Sequence, residues 1–98
     1  MVGEINKDEL TKKMSDNLVV LRAMLRLKQS ELAEKVGISR QTLLEIEKGK
    51  RALQWNVFVA LLSVFREDNG TNDLLLHYGI YTPELGRYLV SPESCGNK

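Results

Sequence analysis

Between Gln29 and Lys48 the chain reads QSELAEKVGISRQTLLEIEK, an order that few backbone arrangements can satisfy. Leu32, Ala33, Val36, Ile38, Leu43 and Ile46 are apolar or small at the positions where two short crossing helices must touch. Gly37 follows the last periodic residue of the first helix, where a left-handed backbone is needed to stop it. Ser39 then offers a hydroxyl to cap the second helix. The spacing therefore predicts a helix over about 29–36, a tight turn, and a second helix over about 40–48.

The flanking segments carry the same helical periodicity. Leu10, Met14, Leu18, Leu21 and Leu25 predict one helix that ends near Leu27 and starts at Asp8 or Asp16. Gly49, Lys50 and Arg51 form a basic loop. Asn56 is placed to cap a helix reaching Phe65 or Arg66, with Phe58, Leu61, Leu62 and Phe65 on its apolar face. The polar run REDNGTN, Arg66 to Asn72, reads as a loop, followed by a short helix from Asp73 to Tyr78. Thr82-Pro83-Glu84 is a strong start signal for a last helix over 83–89. Residues 1–7 read as a loose arm, and those after Ser91 as frayed. The fold class expected is an all-α bundle of five or six short helices. Its segments are an arm or helix extension over 1–15, a core over 16–66, and C-terminal packing helices with a tail over 67–98.

Composition narrows the function. With 98 residues, 43% of them hydrophobic, the chain fits one small domain. No apolar run approaches the ~20 residues of a membrane span; VFVALLSVF, Val57 to Phe65, suffices only for a buried helix. Residues 1–11 are polar and mixed in charge, unlike a signal peptide. Cys95 stands alone, so no internal disulfide can form, consistent with a reducing cytoplasm. Catalysis has little to stand on: one His, one Cys, no nucleophile-elbow motif, no glycine-rich phosphate loop and no metal-spaced cluster. His77, between Leu76 and Tyr78, reads as a packed or surface residue. The expectation is a non-enzyme without cofactor or metal.

Charge and helix position point to a polyanion. The formal charge is only +1, yet residues 12–51 hold ten Lys or Arg against five Asp or Glu. When Leu43 and Ile46 point inward, Arg40, Gln41, Leu44 and Glu45 are left on the outer face of their helix. Arg40 suits the guanine O6/N7 edge and Gln41 the adenine N6/N7 edge, while Leu44 suits a thymine methyl. Glu45 either accepts from a cytosine amino group or orients Gln41 one turn earlier. Lys48, Lys50 and Arg51, with Thr42, are candidate phosphate contacts. Lys28 and Arg40 place cations at the positive ends of two helices, costing a few tenths to about 1 kcal/mol. A phosphate at each helix start would reverse that sign. The alternative at Lys28 is that water caps the helix and Glu31 reaches back to it.

The combined pattern resembles the lambda-type repressors and Cro proteins, with their xenobiotic-response-element relatives. The likeness rests on Gln29, Ala33 and Gly37, on Ile38, Leu43 and Ile46, and on Glu47 and Gly49 closing the segment as E-x-G. It covers roughly residues 14–65. It departs from the family at Lys28, where many relatives carry Ser, Thr or Asp. The resemblance implies a lambda-repressor-like helix-turn-helix fold and a sequence-specific transcriptional regulator, a repressor acting as a homodimer on a palindromic operator in double-stranded DNA. It implies that Ser39, Arg40, Gln41 and Glu45 enter the major groove and that Arg22 and Glu47 form an internal salt bridge. Gln29 would donate to a phosphate or brace Gln41. A competing reading is an antitoxin or other interaction module that holds a toxin partner through Leu74 to Leu89. The simplest use of that apolar segment is a two-fold dimer, and its bland use is an intramolecular cap over the first and fourth predicted helices. Trp55 reads as a core or dimer-lining residue, or as a ring stacked near a nucleic-acid backbone.

Overall fold

A computed structural model describes residues 5–91, which form seven helices: α1 (Lys7–Asp16), α2 (Leu18–Met24), α3 (Gln29–Val36), α4 (Arg40–Glu47), α5 (Trp55–Phe65), α6 (Asn69–His77) and α7 (Pro83–Val90). The fold class is all-α, with no strand among the described residues. The frayed tail expected after Ser91, and Cys95 with it, lie outside the described residues, as do residues 1–4 of the expected arm.

The single long first helix of the sequence reading is two helices. Asn17 interrupts it with φ −110° and ψ 8°, and its side-chain Nδ2 donates to Lys13 O at 2.8 Å. An asparagine amide that bonds a carbonyl one turn back competes with the helical ladder, which bends the rod there. The bend lets Ser15 Oγ donate to Ile46 O at 3.0 Å, tying α1 to α4. The loose arm is also shorter than expected, because Asn6 Oδ1 accepts from Glu9 N and caps α1.

Two further boundaries moved. Gln54, not Asn56, precedes α5, and Trp55 is its first residue. The polar run after α5 is largely helical: Asp68 Oδ2 accepts from Thr71 N at 3.1 Å and starts α6 at Asn69. Thr71 is fully buried, and its hydroxyl donates to the carbonyl of Phe65. That bond satisfies a carbonyl at the end of α5 while anchoring α6, and no local propensity signals it. Thr82 caps α7 by accepting from Leu85 N at 3.1 Å, with Pro83 at the first position.

One core unites all the helices. Phe58, Leu61, Leu62 and Phe65 of α5 are its centre, and Leu10 and Met14 of α1 pack with them. Leu75 of α6, Ile80 of the connection and Leu85 of α7 are completely buried in the same cluster. The apolar C-terminal segment therefore spends its inward residues as a cap on this chain's own core. Trp55 stacks on Phe58 with centroids 4.8 Å apart and meets Tyr88 of α7 edge-on at 6.2 Å. Lys7 Nζ sits 5.0 Å from the Trp55 ring centre and 5.3 Å from that of Tyr88, a cation–π clasp across α1, α5 and α7. No helix among the described residues is long and apolar enough to cross a membrane.

Helices α2, α3, α4 and α6 end alike, on a left-handed residue: Arg26 (φ 57°), Gly37 (81°), Gly49 (76°) and Gly79 (73°). After α2, Arg26 N donates to Ala23 O and Leu27 N to Arg22 O, the two bonds that close a Schellman turn. Arginine pays a steric penalty there that glycine would not. Arg26→Gly should therefore stabilise the fold by about 1 kcal/mol after the entropy of the freer unfolded chain is subtracted. Urea unfolding of the two proteins measures this directly.

Candidate nucleic acid interface

The site is built on the packing of α3 against α4. Leu32 and Ala33 of α3 meet Leu43 and Ile46 of α4, and all four are buried. Between them, Gly37 N donates to Glu34 O and Ile38 N to Ala33 O, so the chain reverses within three residues. Ser39 Oγ accepts from Thr42 N at 3.0 Å and donates to Thr42 Oγ1 at 2.9 Å, which fixes the first turn of α4. With Leu43 and Ile46 directed inward, Ser39, Arg40 and Gln41 are exposed at the start of α4. Leu44 and Thr42 are half-buried, leaving only part of each side chain open to a ligand.

A buried carboxylate locks this arrangement. Arg22 Nε and Nη2, from α2, donate to Glu47 Oε2 and Oε1 at 2.7 and 3.2 Å. Gln29 Nε2, from α3, donates to Glu47 Oε1 at 2.9 Å. The Glu47 side chain is only 3% exposed, so it needs all of these donors. Arg22 also donates to Leu27 O at 3.0 Å, holding the turn between α2 and α3. Gln29 therefore turns inward to Glu47, rather than bracing Gln41 or facing outward for a phosphate. The reason is the greater cost of leaving a buried carboxylate short of a donor.

The two helix starts differ. At α3, Lys28 N donates to Glu31 Oε1 at 2.8 Å, so Glu31 does reach back, while the Lys28 side chain has no acceptor to return. At α4, Ser39 already serves as the cap, and Arg40 extends beyond it into solvent.

On the outer face, Glu45 is a junction. Gln41 Nε2 donates to Glu45 Oε2 at 3.1 Å, and Arg51 Nε and Nη2 each lie 2.7 Å from Glu45 Oε1. The Gln41 bond and then the Arg51 guanidinium hold the Glu45 carboxyl below the usual carboxylate range. Lys48 and Lys50 stay exposed beside it, in the loop where Lys50 N donates to Glu45 O and Gly49 turns the chain. The sequence suggested the Gln41–Glu45 bond from its i,i+4 spacing. It gave no sign of Arg51 folding back onto Glu45, which depends on the turn at Gly49. No group of His, Cys, Asp and Glu among the described residues is arranged to hold a metal, and His77 is exposed at the end of α6, edge-on to Tyr78.

Comparison with known proteins agrees with this geometry. A family model described as helix-turn-helix matches residues 20–68, which run from α2 to the residue that caps α6. The chain belongs to the lambda-repressor/Cro-like helix-turn-helix family. An uncharacterized HTH-type transcriptional regulator of Methanocaldococcus jannaschii is 51% identical over 37 residues, 38% of this chain and 56% of that protein. The match thus spans little more than half the length of that relative. No solved structure matches the chain. Within the helix-turn-helix, α3 is the supporting helix and α4 is the one at the position of recognition helices.

The locking role of Glu47 is testable. Arg22→Ala leaves a buried carboxylate with Gln29 as its remaining donor and should cost about 3 kcal/mol, whereas Arg51→Ala breaks an exposed pair and should cost much less. Urea melts of both variants should show that order, and equal losses would refute it.

Proposed function

We propose that this protein is a sequence-specific regulator that inserts the start of α4 into the major groove of double-stranded DNA. The observation that carries the reading is the exposure of Arg40 and Gln41 at the first turn of α4, on a helix whose opposite face is locked by buried contacts. Arg40 and Gln41 have the donor geometry for guanine and adenine edges. Ser39 and the open part of Leu44 border them, and Glu45 completes the reading surface. Lys28 at the start of α3, Thr42, and Lys48, Lys50 and Arg51 after α4 supply the phosphate contacts that set the register.

A homodimer on a palindromic operator follows from affinity: one short helix in one half-site binds weakly, and two-fold pairing doubles the contact. The exposed apolar side chains Val19, Val20 and Met24 of α2 and Leu76 of α6 support a second copy as the covering partner, since these two helices pack together. Repression is the simplest regulatory outcome of occupying an operator, and the cytoplasm is the compartment where the protein would meet DNA. A toxin partner has no separate observation in its favour.

Selecting bound sequences from a random DNA pool should return a two-fold symmetric site. On that site, Arg40→Ala should lose discrimination at one base pair per half-site, worth about 1–3 kcal/mol. Lys50→Ala should weaken binding to all sequences alike and flatten the dependence of log K on log salt by ~1. Unchanged base preference in Arg40→Ala would remove Arg40 from the reading set.

A further inference from the structure

We infer that Glu45 is an internal stand-in for phosphate, which holds Arg51 and Gln41 closed until a base with an exocyclic amino group replaces them. The inference rests on the DNA-binding reading above and concerns how the same face chooses its sequence. A single carboxylate engages both side chains: Oε1 receives Arg51 Nε and Nη2 at 2.7 Å, and Oε2 receives Gln41 Nε2 at 3.1 Å. Both oxygens are thus occupied by groups that would otherwise be offered to DNA, Arg51 to a phosphate and Gln41 to a base edge.

A phosphodiester presents the guanidinium with anionic oxygens as Glu45 does, so the two compete for Arg51. The Arg51 side chain is 53% exposed and that of Glu45 30%, so the pair is weak enough to open at the surface. Opening leaves Glu45 with only the neutral Gln41 donor and its charge unpaired before a polyanion, which is unfavourable at any random sequence. At a site that places a cytosine N4 or adenine N6 amino group opposite Glu45, the carboxylate regains a donor as Arg51 moves to the backbone. Both released groups are then satisfied together. Glu45 is ionised at neutral pH as any exposed glutamate is, and the same two neighbours lower its pKa further. Discrimination here comes chiefly from penalising wrong sequences.

Two variants test the clamp, Glu45→Gln alone and with Arg51→Ala, using the full chain, a selected duplex and a scrambled duplex. Glu45→Gln should raise affinity for the scrambled duplex by about three- to tenfold at low salt and steepen its salt dependence by ~1, as Arg51 becomes free for phosphate. Adding Arg51→Ala should return both quantities to near the original values. The selected site of Glu45→Gln should also lose its preference for cytosine or adenine at one position per half-site. If the original protein discriminates between duplexes but Glu45→Gln changes neither scrambled-duplex affinity nor salt slope, the clamp is wrong and the DNA-binding reading stands. If the original protein binds neither duplex at low salt, the DNA-binding reading itself fails.

Discussion

Glu47 is the residue on which the geometry of the functional face depends. A carboxylate at the end of α4 is nearly excluded from water, and it is tolerable only because α2 supplies Arg22 and α3 supplies Gln29. Three helices are thereby fixed to one side chain. Apolar packing between α3 and α4 would accept small rotations at little cost, because methyl groups have no preferred partner direction. A guanidinium fork and an amide do not, so the ion pair converts a packed helix pair into an oriented one. Presentation of Arg40 and Gln41 follows from that orientation.

The opposite economy governs the outer face. Arg51, Gln41 and Glu45 satisfy one another loosely in solvent, where each bond contributes little to stability and can be exchanged for a ligand. Two acidic residues of one helix, two positions apart, thus have different tasks set by burial. Glu47 is structural because nothing can replace its donors, and Glu45 is exchangeable because water reaches its donors and, in the proposed reading, DNA would too.

Much of this was legible in the residues. The turn at Gly37, the Ser39 cap, the Pro83 start of α7 and the inward pairing of Leu43 with Ile46 follow from local stereochemistry and periodicity, so sequence spacing exposes them. The elements that differ are set by side-chain hydrogen bonds, to nearby carbonyls or to a distant partner, which apolar periodicity does not register. Asn17 bends the first rod through its amide. Thr71 makes a helix of a polar run by reaching Phe65, and Gln29 turns from the outer surface towards a carboxylate eighteen residues away in sequence. Arg51 folds back onto Glu45 through a left-handed turn at Gly49 that composition does not orient, so the sequence shows its charge but not this partner. The C-terminal apolar segment was ambiguous for a different reason. Counting apolar residues cannot separate those that close this core, Leu75, Ile80 and Leu85, from those left outside, Leu76 and Leu89.

If α4, held by buried contacts, offers its first turn to DNA, backbone amide chemical-shift mapping with a selected duplex will show it. The largest shifts should fall on residues 39–45, with smaller ones at 28–30 and 48–51, while α6 and α7 keep their positions apart from any change at a dimer contact. Shifts concentrated on α6 and α7 with α4 unmoved, or no shift with any duplex at low ionic strength, would contradict it.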